Sequence, residues 1–153
     1  MKKFLVLGVF ICTMSLFAQT ENDYTELVRE VINTEKKADI TENMNFTDAE
    51  SQVFWPLYNE YQGQMYKIQN TRIEIIKDFA ESYENLTAEK ADQLWLAAQK
   101  FDEESLKLKK AYYKKFKKIL PNGKAARFMQ LENKIETMID AKLALEIPLL
   151  EVK

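Results

Sequence analysis

The 153-residue chain contains no histidine and a single cysteine, Cys12. Histidine and cysteine supply most transition-metal ligands, most general bases near neutral pH and the usual activated nucleophiles. Their scarcity removes the common catalytic constellations, and the chain is expected to be no enzyme and to carry no cofactor and no metal. Glycine is almost as sparse, with three residues, of which only Gly63 and Gly123 lie beyond the first ten positions. A glycine-rich loop that could cradle a phosphate is therefore missing too. Carboxylate pairs survive, and Asp102, Glu103 and Glu104 form the densest acidic cluster, which in a chain that is 30% charged reads as a solvated helix face.

What is present begins with "MKK" and the apolar run "FLVLGVFICTMSLF", ending near Ala18. A basic start, a short apolar stretch and a small residue make a secretory signal, with cleavage expected after Ala18. The run is shorter than the roughly 20 residues that cross a bilayer, and the polar "AQTENDYTE" follows at once. Cys12 follows Phe10 and Ile11 inside the apolar run, so it is not a lipoprotein attachment site. The expectation is a periplasmic or secreted protein with a single domain over 19–153. Cleavage would remove Lys2, Lys3 and Cys12 but no acid, leaving a mature chain more acidic than the formal −2 of the whole and without a disulfide.

A repeat defines the architecture. "NFTDAESQVFW" at 45–55 returns as "NLTAEKADQLW" at 85–95, with Asn45, Thr47 and Trp55 recurring as Asn85, Thr87 and Trp95. After the first copy, Phe54, Leu57, Tyr58, Tyr61, Met65, Ile68, Ile75, Ile76 and Phe79 fall at steps of three and four, a helical stripe. Leu94, Ala97, Ala98, Phe101, Leu108, Phe116 and Ile119 do the same after the second. Thr47 and Thr87 read as N-caps, Glu50 completes a capping box with Thr47, and Phe46 and Leu86 suit hydrophobic staples. Two long helices, at about 47–80 and 87–120, joined by the short "ESYEN", predict an antiparallel hairpin.

Shorter helices are expected on either side. Tyr24, Leu27, Val28, Val31 and Ile32 mark one before the polar "TENMN". After "LPNG", Phe128, Leu131, Ile135, Met138, Ile139 and Leu143 mark another that runs to Pro148. Pro56, two turns into the first long helix, removes a backbone donor and predicts a kink. The fold class is all-α.

A signal sequence, an all-helical mature chain and Phe-Thr or Leu-Thr phrases opening long helices resemble the periplasmic Spy/CpxP group, named for its LTxxQ motifs. The corresponding phrases here are "FTDAE" at 46–50 and "LTAEK" at 86–90, with Glu50 and Lys90 at the glutamine position. The chain looks closer to other exported bacterial helical proteins, to whose phrases its "FWPLYNEY" and "ARFMQLENKI" and its "IPLL" ending are similar. The Spy/CpxP resemblance implies ATP-independent chaperone or stress-adaptor activity in a cradle-shaped dimer. Its metal-sensing branch relies on histidine, which this chain lacks.

One further feature points to binding. "LKLKKAYYKKFKKIL" at 106–120 carries Lys107, Lys109, Lys110, Lys114, Lys115, Lys117 and Lys118, while Leu108, Tyr112, Phe116 and Ile119 keep the helical stripe. Either this basic face solvates the fold or it attracts acidic clients through a field that salt screens. Trp55 and Trp95, each one residue off the stripe, are candidate apolar contacts beside the lysines. The expected function is a chaperone-like binding protein for unfolded or envelope proteins. An envelope-stress adaptor docking on a membrane sensor and a structural module are the alternatives. Partners would be protein clients or that sensor, a second copy in a homodimer, and anionic membrane peripherally, but not nucleic acid.

Overall fold

The computed structural model describes residues 34–121 and 123–151. Residues 1–18 and the helix expected at Tyr24–Ile32 lie outside them. The chain divides into two compact units, 1–43 and 44–153. The described residues form four helices and no strand. Helix α1 is described from residue 34 and continues to residue 44. Residues 41–44 of the polar "TENMN" are thus helical. The Thr41 and Asn43 side chains bond back to the carbonyls of Lys37 and Asp39 at 2.8 Å each, so these polar residues are held within helical turns. The chain turns at Asn45, whose φ of 46° is a left-handed conformation that asparagine tolerates better than most residues.

Helix α2 spans Asp48–Ser82 and α3 spans Ala88–Ile119, against the expected 47–80 and 87–120. Both begin on their threonines. Glu50 N–H donates to Thr47 Oγ1 at 3.3 Å and Thr47 N–H donates to Glu50 Oε2 at 2.8 Å, a complete capping box. Lys90 N–H donates to Thr87 Oγ1 at 3.2 Å. Lys90 cannot return a carboxylate to the cap, and its ammonium instead pairs with Asp78 of α2 at 2.5 Å, tying the two helices beside their connection. That connection is a single 3-10 turn, Tyr83–Asn85. Helix α2 continues through the exposed Pro56, which leaves the fourth preceding carbonyl, that of Gln52, without its helical donor.

The contacts of α2 and α3 run in opposite senses along the chain. Phe54 meets Phe116 with ring centroids 5.4 Å apart, Ser105 Oγ lies 3.9 Å from Met65 Sδ, and Phe79 packs with Ala91 and Leu94. Helix α4, Lys124–Glu146, starts from Gly123, whose φ of 78° suits glycine. It lies along both long helices. Phe128 reaches Phe54 at 5.1 Å and Phe116 at 4.6 Å, Asp140 pairs with Arg72 at 2.6 Å, and Ile147 joins the cluster of Phe79, Leu86, Ala91 and Leu94. Met138, expected in its inward stripe, is 58% exposed: the stripe turns gradually around the helix while the partners stay in line.

Two clusters close the two ends, with Met65, Phe101 and Ser105 buried between them. Far from the 3-10 turn, Phe54, Tyr58, Tyr61, Phe116 and Phe128 are fully buried, with Phe46 against Phe54 at 4.4 Å. Near the turn, Leu86 sits in the Phe79 cluster with Ala91, four residues past its own cap, as a hydrophobic staple requires. Edge-to-face rings at 5–6 Å are the favoured geometry, and each such pair contributes about 0.5–1.5 kcal/mol beyond its area.

Candidate functional site

The lysine run occupies the last four turns of α3, and the structure divides it. Lys109 is largely buried and forms an ion pair with Glu136 of α4. Lys115 donates to Glu60 of α2 at 2.8 Å and lies 4.2 Å from the centroid of the Tyr112 ring. Tyr112 O–H donates to the same Glu60 oxygen at 2.7 Å. The hydrogen bond from Lys115 and that from Tyr112 hold the Glu60 carboxyl below the ordinary carboxylate range, and Glu60 in turn holds the Lys115 ammonium above the usual lysine value. These two lysines fasten α3 to its neighbours.

The other five are exposed, as Lys115 itself is. Lys117 stands 5.7 Å from the Tyr113 ring centroid, and with Lys118 it occupies the last turn, where positive charge complements the helix dipole. Lys107, Lys110 and Lys114 line a shallow groove of about 420 Å³ with Glu103, Leu106 and Ala111. All six residues lie on α3 at steps of three and four, so the groove is the outward face of one helix, floored by Leu106 and Ala111 and walled by lysine stems.

The two tryptophans are not brought together. Trp55 is half-buried, edge-on to Phe54 at 5.1 Å and Tyr58 at 5.3 Å, and belongs to the aromatic packing. Trp95 is 60% exposed, beside Leu96 at 62%, in the second turn of α3, at the opposite end of the helix pair from Trp55. Trp95 and Leu106 are eleven residues apart, close to three helical turns, so they share one side of α3. Leu96 and Leu106, the latter 52% exposed, join the face without having been singled out in the sequence.

Glu132 was also missed. It is 3% exposed, within the aromatic cluster, and accepts from Tyr61 O–H at 3.1 Å. Burial first, and the Glu132 carboxylate second, push the Tyr58 and Tyr61 phenols far above the ordinary tyrosine value. A signal existed: Glu132 falls four residues after Phe128 and three before Ile135, on the inward stripe. A second crevice, of about 240 Å³, lies between Arg72, Phe101, Asp102, Lys109, Glu136 and Asp140, where Arg72 pairs with Asp140 and Lys109 with Glu136.

Among the described residues no three or more His, Cys, Asp or Glu side chains gather where they could hold a metal ion, and no helix is long and apolar enough to cross a membrane. No protein-family model, no curated protein and no solved structure matches this chain. The reading of function therefore rests on the face of α3 itself.

Proposed function

We propose that this chain is an exported, Spy/CpxP-like, non-enzymatic binding protein that holds partly unfolded or envelope proteins on the outward face of α3. The observation that carries the proposal is the separation within the lysine run. Lys109 and Lys115 are engaged with Glu136 and Glu60, whereas Lys107, Lys110 and Lys114 stand in solvent around Leu106, with Trp95 and Leu96 exposed further along the helix. Burying or pairing these exposed groups is not needed to assemble the helices. Lysines attract acidic segments at long range, and isolated apolar side chains between them supply contact once a client has arrived. Such a surface binds many sequences weakly, which suits a holding role.

The deciding measurement is suppression of client aggregation by the wild-type chain and by Lys107→Gln/Lys110→Gln/Lys114→Gln. Gln is a comparable helix former, so helix content should be unchanged while suppression falls and the wild-type effect weakens with salt. Undiminished suppression by the triple variant at low salt would remove the proposed surface. Selective capture of one membrane sensor, with no general suppression, would replace it with the adaptor reading.

A further inference from the structure

Pro148 ends α4. The residue before a proline avoids the helical region, and Ile147 is accordingly extended, at φ −92° and ψ 117°. Its side chain packs against the cluster of Phe79, Leu86, Ala91 and Leu94, while Leu149 and Leu150 just beyond it are exposed, the first at 87%. Trp95 stands fourteen residues before Lys109, close to four whole turns, and so on the flank of α3 from which Lys109 reaches α4. Ile147 sets the level: it packs on the cluster that holds Leu94, the residue before Trp95, and the two or three residues after it span at most about 10 Å. Trp95, Leu96, Leu149 and Leu150 therefore lie together at the 3-10 end of the helix pair, each on the solvent side of that cluster.

The charge around these apolar residues is mainly negative. Residues 77–92 and 142–151, which close this end, hold seven acids against three lysines. Of the lysines, Lys90 is paired with Asp78, and Lys77 and Lys142 are exposed. Glu89, Asp92, Glu146 and Glu151 are all exposed and flank the apolar residues along the chain. Lys100, the next base on α3, lies 4.0 Å from Glu104. The helix dipole accounts for Glu89 in the first turn of α3, but Glu146 sits in the last turn of α4, where a negative charge opposes the dipole and the fold gains nothing from it.

We infer that this end docks a cationic amphipathic segment of another protein, a short helix whose apolar side covers Trp95, Leu149 and Leu150 and whose flanking Lys or Arg heads reach Asp92, Glu146 and Glu151. The exposed indole favours the same partner, because the face of tryptophan attracts ammonium and guanidinium groups more strongly than other rings do. An acidic segment is repelled here, and so is an anionic lipid surface. The lysine groove further along α3 carries charge of the opposite sign and takes the opposite kind of partner, so this docking does not rest on the proposed function.

The test is titration of the purified chain into a dye-labelled peptide of about 18 residues, with leucine at helical steps of three and four and lysine between, followed by anisotropy at about 20 mM and about 500 mM salt. The peptide should bind at low salt and shift the Trp95 emission to shorter wavelength as the indole is covered. Affinity should fall at least about tenfold at high salt, since exposed pairs contribute only a few-fold each and several act together. Trp95→Gln/Leu149→Gln should weaken binding at least about tenfold, and Asp92→Asn/Glu146→Gln/Glu151→Gln about fivefold or more. All five side chains are exposed, so each variant should keep its helix content by circular dichroism. Lys107→Gln/Lys110→Gln/Lys114→Gln should bind the peptide as the wild type does; a loss there would move the docking to the groove and overturn the inference. It is equally overturned by a wild type that ignores the peptide at low salt, by a leucine and glutamate peptide of the same pattern that binds as tightly, or by full affinity in both end variants. A sedimenting dimer that Trp95→Gln/Leu149→Gln alone abolishes would give the patch to a second copy instead, and a Trp95 emission shift on phosphatidylcholine vesicles would give it to lipid. Client suppression is measured separately, so its absence would refute the proposed function and leave this docking intact.

Discussion

Replacing Phe128 with alanine should release α4 from the two long helices. Phe128 is fully buried and is the one α4 ring in the aromatic cluster, with centroids 4.6 Å from Phe116, 5.1 Å from Phe54, 6.0 Å from Tyr58 and 6.3 Å from Tyr61. Truncating a buried phenylalanine to alanine costs about 3–5 kcal/mol through lost transfer energy and an unfilled cavity. Four ring contacts vanish at once and Glu132, one turn on, loses the packing that positions it under Tyr61, so the upper part of that range is expected. Against a total stability of about 5–15 kcal/mol, this is a large fraction. Urea unfolding followed by circular dichroism should show the midpoint falling steeply, and limited proteolysis should cut first within α4. Phe128→Leu, which keeps most of the volume, should lose no more than about 1.5 kcal/mol. A loss below about 1 kcal/mol for the alanine variant would refute the reasoning, because it would mean that α4 is held by its ion pairs or by Ile147 and that the cluster is complete without it.

Three other outcomes are expected. Lys109→Gln should lower stability by about 1–2 kcal/mol in thermal unfolding because it strands Glu136 at a largely buried site, whereas Lys110→Gln should leave stability within about 0.5 kcal/mol; equal losses would contradict the division of the run. Thr47→Ala should cost about 1 kcal/mol by removing the cap of α2, and no change in the unfolding midpoint would show that the capping box is incidental. In alkaline titration followed at the tyrosinate absorbance, Tyr58 and Tyr61 should stay neutral in the folded chain. Their folded pKa values are raised, so the stability they contribute is complete below the ordinary tyrosine value of about 10 and is lost as pH climbs above it. Their ionisation should therefore coincide with unfolding; a smooth titration of all tyrosines near pH 10 with helix content intact would oppose their burial.

The sequence by itself determined the features that depend on near neighbours. A threonine hydroxyl caps an amide three residues away, so Thr47 and Thr87 announced the starts of α2 and α3. Apolar steps of three and four place one face of a helix inward whatever it meets, so Phe54, Tyr61, Phe79, Phe101 and Phe116 were legible as core. The helical state of residues 41–44 was not legible, because Thr41 and Asn43 can bond either to their own helix or in a turn, and composition does not say which.

Only the tertiary structure decided which charges are committed. Seven lysines that look alike in the chain separate into anchors and solvent-facing groups because Glu60 and Glu136 lie on other helices, 55 residues before Lys115 and 27 after Lys109. The same holds for the tryptophans, which share a place in the repeat but not an environment. Trp55 has rings beside it and Trp95 has solvent, because two helices packed in opposite directions put equivalent positions at opposite ends. Helix phase says which way a side chain points, and only the neighbour that packing delivers says what it meets.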